Sequence, residues 1–130
     1  MGTGTWRFEP LEEGAALSLV RGAQGGWHLW VALRVHGVAD DTGSLEVTHF
    51  PSATPESAAR TSHGLRLDPP NAEGFRAYLG WPAILKDPAC AVGRPYRVEV
   101  VFRPASGGRL AAHRDLLIDP GDDPPPPCPP

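Results

Sequence analysis

Apolar and polar residues alternate along much of this chain, and a period of two is typical of β-strands. The clearest case is the segment Gly26–Val38. Its positions predicted to face a core are Trp27, Leu29, Val31, Leu33 and Val35, and those predicted to face outward are His28, Trp30, Ala32, Arg34 and His36. One face is wholly apolar, as expected of a strand that covers a hydrophobic interior.

Two further alternating segments predict a β-hairpin near the C-terminal end. In Pro95–Arg103 the apolar face is formed by Tyr96, Val98, Val100 and Phe102. The loop Pro104–Gly108 contains glycines that tolerate a tight reversal. Arg109–Ile118 then alternates in the same way, apart from Arg114.

Shorter segments complete an all-β prediction. Weaker strands are predicted at Thr5–Phe8, Ala16–Val20, Ser44–Phe50, Ser62–Asp68 and Phe75–Leu79, which brings the total to seven or eight. Glycine and proline interrupt almost every window of helical length, so one helical turn after Thr54 is the only helix expected. This pattern favours a two-sheet antiparallel β-sandwich over residues 1–118 rather than a closed barrel. Pro51–Pro88 as a whole matches no known pattern.

Composition separates a neutral body from a proline-rich tail. Residues 119–130 contain seven prolines, which predict an extended polyproline II stalk. Three of the 15 acidic residues lie in this tail, so the body balances its charge against 12 Lys and Arg. The basic residues are scattered, whereas nucleic-acid binding requires a clustered basic surface. No segment approaches the roughly 18 apolar residues of a transmembrane span.

The stretch Val92–Val100, with the sequence VGRPYRVEV, resembles the penultimate strand of fibronectin type III and related immunoglobulin-like domains. There a glycine-containing turn leads into a tyrosine and alternating valines, and a hairpin delivers the last strand. The resemblance implies that Tyr96 is a tyrosine-corner residue, bonded through its hydroxyl to backbone near Val92. It also implies that Trp27 or Trp30 fills the core. The chain lacks the Cys-Trp-Cys framework of immunoglobulin domains.

A second resemblance concerns cellular location. The chain has 11 arginines and one lysine, and its main strand opens with Gly-Gly-x-His-x-Trp. In these features it is similar to envelope-associated sandwich modules of high-GC bacteria that have no assigned function. This similarity implies an extracellular, periplasmic or cell-surface location. The printed N-terminus lacks a basic and apolar leader, so export requires that a leader precedes Gly2.

The two cysteines lie at one end of the predicted sandwich. Cys90 comes five residues before the first hairpin strand, and Cys128 comes ten residues after the second. An extended tail spans about 3.1 Å per residue, which is enough to return Cys128 to Cys90. Both a disulfide in an oxidising compartment and two separate thiols remain open.

Searches for catalytic or metal-binding patterns favour ordinary surface residues. Of the five histidines, His28 and His36 share a strand face but lie about 26 Å apart at the usual rise per residue. The remaining metal hypothesis is a copper or zinc site with His28 as one ligand. Asp40–Ser44 is predicted to be a turn rather than a calcium loop. No nucleophile or phosphate-binding motif is present, so we expect no enzyme and no cofactor.

Trp30 is the most unusual residue on the predicted outer surface. Flanked by His28 and Arg34, it is a candidate recognition anchor, because tryptophan buries a large area at low entropic cost. The alternative is that Pro51–Pro88 packs over it. Trp6 and Trp81 are predicted to fill the core or the sandwich edge. We therefore expect a monomeric, non-catalytic binding or spacer module that contacts a protein or cell-surface partner, with metal binding through His28 as the alternative.

Overall fold

The computed structural model describes residues 1–130 and confirms an all-β chain with two facing sheets. The first sheet contains β1 (Gly2–Thr3), β2 (Glu9–Pro10), β4 (Val20–Arg21), β5 (Trp27–His36) and β8 (Phe75–Ile84). The second contains β3 (Ala16–Ser18), β6 (Thr42–Pro51), β7 (Ala59–Arg66), β9 (Pro95–Pro104) and β10 (Leu110–Asp119), in the order β3-β10-β9-β6-β7.

The strands number ten rather than seven or eight, because the N-terminal region forms four strands of two or three residues. The predicted strand Thr5–Phe8 is wrong, since these residues form the connection between β1 and β2. Gly4 enters that connection with a φ of +118°, which only glycine adopts readily. The predicted strand Ala16–Val20 divides at Leu19, because β3 pairs with the second sheet and β4 with the first.

One pairing departs from the predicted antiparallel pattern. β3 runs parallel to β10, with Ala16 opposite Leu117. The predicted hairpin is confirmed: β9 and β10 pair antiparallel from Leu110 opposite Phe102 to Leu117 opposite Pro95.

The core lies between the alternating faces identified in the sequence. All five predicted core positions of β5 pack against it, with Trp27 half-buried at the end of the row. Phe102 is fully buried and is among the largest side chains of the core. Burial of each Leu, Val or Phe side chain contributes about 1.5–3 kcal/mol, so these rows are the main source of stability.

Pro51–Pro88 supplies regular structure that its sequence did not predict in full. A 3₁₀ turn at Pro55–Ser57 confirms the helical turn expected after Thr54. The segment also supplies edge strand β7 and strand β8, which pairs with β5 and has an irregularity opposite Val31 and Leu33. A short helix, α1 (Pro88–Ala91), follows. Neither helical segment is long and apolar enough to cross a membrane.

The C-terminal tail returns along the sandwich to the pole that carries α1. Cys90 and Cys128 form a disulfide, with Cα atoms 4.7 Å apart, so the alternative of two separate thiols is wrong. On the way, the indole Nε1 of Trp27 donates a hydrogen bond of 2.8 Å to the backbone oxygen of Asp123. The tail is therefore fastened to the body at two places.

Candidate functional site

The predicted outward face of β5 is only partly exposed. His28 is 8% exposed and Ala32 is 1% exposed, whereas Arg34 and His36 face solvent. The first half of the predicted outward face is therefore largely buried, and the second half is exposed. Trp30 is half-buried, with its ring centroid 4.3 Å from that of His28.

Two aromatic side chains contact Arg34 on the exposed half of this face. The guanidinium of Arg34 lies 4.5 Å from the ring centroid of Phe8 and 4.4 Å from that of Phe75. Phe8 comes from the N-terminal connection, and Phe75 opens β8. The sequence did not predict the contribution of Phe8, because contacts between segments that lie far apart in the chain leave no periodic signal.

His28, the one ligand named in the metal hypothesis, is buried in the first sheet. Its Nε2 is buried and has no hydrogen-bond partner, and desolvation lowers the pKa of the ring. No three His, Cys, Asp or Glu side chains lie together in a way that could hold a metal ion. The structure thus does not assemble the ligand set that the His28 metal hypothesis needs.

Trp6 does not fill the core or the sandwich edge. Its side chain is 95% exposed, so that prediction is wrong, whereas Trp81 is buried as predicted. Trp6 lies in the connection between β1 and β2. An exposed indole is a candidate anchor for a partner, because it buries a large area at low entropic cost.

Trp6 and Trp30 line one groove of about 710 Å³. We call it the side groove. Its other wall is strand β3 with the residues that flank it, Ala15–Ser18 and Val20, and its rim includes Arg7 and Glu9. The side groove thus joins aromatic surface from the first sheet to an edge strand of the second.

β3 presents free backbone groups on that side. Leu117 N donates to Ala15 O, and Leu19 N donates to Asp119 O, each at 2.9 Å. In a parallel ladder successive residues point their peptide groups in opposite directions. Odd-numbered residues of this segment therefore face β10, and the N–H and C=O groups of Ala16 and Ser18 face away from it.

A second depression lies at the pole near the disulfide. We call it the pole cleft; it has a volume of about 300 Å³, and His49 and Tyr96 lie among its lining residues. The Tyr96 hydroxyl lies 2.6 Å from His49 Nδ1, and both residues are buried. The predicted tyrosine corner is therefore wrong: the hydroxyl's partner is an imidazole of β6 rather than backbone near Val92.

The environment of this pair keeps both rings neutral. Burial, followed by the positive charge of Lys86, lowers the pKa of His49 to about 4. Burial also raises the pKa of Tyr96 above its usual range. Because both groups stay uncharged at neutral pH, the pair suits fixed hydrogen bonding better than proton transfer.

The sequence contained a signal for this pair that the search for metal ligands missed. His49 continues the inward row of Leu45 and Val47 on β6, and Tyr96 begins the inward row of β9. The register sets Pro51 opposite Tyr96 and His49 opposite Val98, so both rings lie at the same end of the sheet. A polar residue in an inward row requires a partner.

The acidic turn behaves as a structural element. Asp40 Oδ2 accepts a hydrogen bond of 2.8 Å from the backbone N–H of Ser106, and Asp41 forms an ion pair with Arg66. These carboxylates fasten neighbouring loops and strands, but the predicted turn Asp40–Ser44 is wrong beyond Asp41, since Thr42 already begins β6.

Comparison with protein-family models, curated proteins and solved structures finds no match to this chain. The geometry of the molecule is thus the basis for functional inference.

Proposed function

We propose that this chain is a non-catalytic binding module of a bacterial cell-envelope or secreted protein, with an immunoglobulin-like or fibronectin type III-like sandwich. The observation that carries the binding role is the side groove, in which the exposed indole of Trp6 lies beside a free strand edge. The occupant is an extended segment of a partner protein.

The strand order supports the immunoglobulin-like assignment. In the usual lettering, the run β10-β9-β6-β7 corresponds to G-F-C-C′, and the pair β5-β8 to B-E. The final hairpin and the long early strand, which carry the sequence resemblance, occupy the F-G and B positions. This agreement concerns the fold and leaves the activity to be argued from the site.

The disulfide supports an oxidising compartment. Bonds of this kind persist in secreted, periplasmic and surface proteins and are rare in reducing cytoplasm. Cys90–Cys128 fastens a tail that has no strand or helix of its own. An envelope location therefore agrees with the covalent structure of the chain.

Strand addition is the mode of binding that the groove favours. An extended peptide placed along β3 gains hydrogen bonds from Ala16 and Ser18, as peptides do on exposed sheet edges. Its side chains then contact Trp6 and Trp30, where a buried indole contributes strongly to affinity. β3 is only three residues long, which limits unwanted pairing between copies.

A displayed library of random peptides, selected on the immobilised full chain, tests this proposal. Ala16→Pro removes an N–H that faces the groove, and proline is tolerated on an edge strand when that N–H faces solvent. Trp6→Ala removes the aromatic anchor. We expect each variant to weaken the selected peptides at least about tenfold, since one good anchor contributes about 1.4 kcal/mol or more.

Leu117→Ala is the matched control, because Leu117 is an exposed apolar residue outside the groove. We expect it to leave peptide affinity unchanged. Peptides that bind the Ala16→Pro variant as tightly as the native chain would show that strand addition is wrong. Proteins recovered from the native cell with free thiols at Cys90 and Cys128 would contradict the envelope location.

A further inference from the structure

The pole cleft combines one presented ring nitrogen with apolar walls. The Nδ1 of His49 forms a hydrogen bond with the Tyr96 hydroxyl. The Nε2 of the same ring has no hydrogen-bond partner in the protein and is not fully buried. When the phenol O–H donates a hydrogen bond to Nδ1, the proton of the neutral imidazole is on Nε2. Pro51, Ala59 and Leu85 supply apolar parts of the lining.

The charged residues of the cleft are all unpaired. Lys86 makes no ion pair, and neither do Glu56 and Asp87, the other charged residues of the lining. Lys86 and His49 both line the cleft, and the positive charge of Lys86 contributes, after burial, to the low pKa of His49. The cleft is therefore lined by two hydrogen-bond donors, the Lys86 ammonium and the His49 imidazole, and neither Lys86 nor His49 Nε2 has an acceptor partner in the protein.

We propose that the pole cleft binds a small monocarboxylate, whose oxygens accept hydrogen bonds from the ammonium of Lys86 and from His49 Nε2–H. A carboxylate has two acceptor oxygens, and bonds between charged groups are roughly twice as strong as neutral ones. Glu56 and Asp87 also line the cleft and repel any anion, but they repel a dianion such as phosphate about twice as strongly as a monocarboxylate, which favours the monocarboxylate. This site is independent of the side groove.

Ligand binding must couple to the protonation of His49. A bound anion favours the imidazolium, so it raises the ring pKa from about 4. By reciprocity, the carboxylate binds more tightly as the pH falls towards that pKa. Glu56, Lys86, Asp87 and Tyr96 are the other ionisable groups that line the cleft, and of these the cation Lys86 opposes protonation.

The test is a titration of the full-length, disulfide-bonded chain with sodium acetate at constant ionic strength, followed by NMR of the histidine side chains. We expect saturable shifts of the His49 ring, with a rise in its pKa. Acetate that leaves the His49 resonances and pKa unchanged would overturn the proposal.

Lys86→Met removes the charge from an exposed residue and so leaves the fold undisturbed. We expect it to weaken acetate binding at least about tenfold. Arg94→Met is the matched control, because Arg94 is an exposed cation near the same pole that does not line the cleft. Equal losses in both variants would indicate general charge attraction and would contradict a specific site.

Tyr96→Phe distinguishes the role of the imidazole from that of Lys86. Without the phenol, Nδ1 no longer has its partner and the ring proton is no longer held on Nε2, so we expect acetate affinity to fall while the ammonium remains. Phosphate that binds as tightly as acetate would contradict the preference for a monoanion.

Discussion

The side groove and the pole cleft differ in the chemical groups that line them. The side groove consists of exposed indole surface and backbone groups that the fold has left unpaired. The pole cleft has a polar floor in which the hydroxyl of Tyr96 and the Nδ1 of His49 already satisfy each other. The first offers hydrophobic burial and strand pairing, which salt affects little, whereas the second offers charge and directed hydrogen bonds, which salt and pH modulate.

The two buried histidines, His28 and His49, also differ in their hydrogen bonding. His49 has a partner for one nitrogen and presents the other to a cleft, while His28 lies beside Trp30 with its buried Nε2 unpartnered. Burial lowers the pKa of both rings. Burial of a histidine alone therefore does not create a binding site, because a side chain that binds a ligand also needs a fixed orientation and an accessible atom.

The largest expected effect is the pH dependence of stability that His49 causes. A folded pKa of about 4 lies below the unfolded value near 6.5, so the unfolded chain binds the proton more readily. The contribution of neutral His49 to the free energy of unfolding is fully present above pH 6.5 and is lost as the pH falls to about 4. The shift corresponds to a loss of about 3 kcal/mol.

Urea unfolding of the native chain and of His49→Gln, measured between pH 4 and 7, checks this prediction. We expect the native curve to fall more steeply, with the difference confined to the interval below pH 6.5. His28 adds a loss of the same sign in both proteins and cancels in the comparison. Parallel curves for the two proteins would show that His49 is not responsible.

Tyr96→Phe is expected to lower the free energy of unfolding by about 2 kcal/mol, because it leaves the buried Nδ1 of His49 without its partner. Chemical denaturation at pH 7 measures the effect. Tyr78→Phe is the control, since the hydroxyl of half-buried Tyr78 has no hydrogen-bond partner in the protein, and it should change stability by less than about 0.5 kcal/mol. Equal losses would contradict a special role for the pair at the pole.

Loss of the disulfide is expected to release the tail with a smaller effect on the sandwich. A disulfide between residues 38 apart restricts the unfolded chain, and this loss of chain entropy stabilises the folded state by about 4 kcal/mol. The full value applies only if the tail stays in its native position when the bond is absent. In the double variant Cys90→Ser/Cys128→Ser the tail can detach from a folded body. We therefore expect a loss of about 1 kcal/mol, the typical value of the hydrogen bond between Trp27 and Asp123.

Hydrogen exchange separates the two parts of that variant. The indole N–H of Trp27, which donates to Asp123 of the tail, should exchange faster, while the amides of β9 and β10 should keep their protection. Global unfolding of the variant under native conditions would show that the disulfide holds the sandwich as well as the tail.

Trp6→Ala should have the smallest effect on stability, below about 0.5 kcal/mol, because the side chain is 95% exposed. Acrylamide quenching of fluorescence should lose its most accessible component in this variant. A large loss of stability would mean that the side groove is part of the core and not a free surface.

The sequence alone determined the elements whose signal is local. Side chains alternate across any strand, so the apolar rows of Trp27–Val35 and Tyr96–Phe102 predicted their own inward faces, and both rows meet in the core. The hairpin of β9 and β10 and the common pole of the cysteines follow from chain direction and length. These features need no knowledge of distant segments.

Only the tertiary structure decided the candidate sites. His49 and Tyr96 meet although they lie 47 positions apart in the chain, because β6 and β9 are neighbours in the second sheet. The side groove exists because β3 joins β10 in a parallel pair while the adjacent β4 joins the first sheet. Periodicity reports which way a side chain points from its own strand, but which strand lies beside it depends on long-range packing.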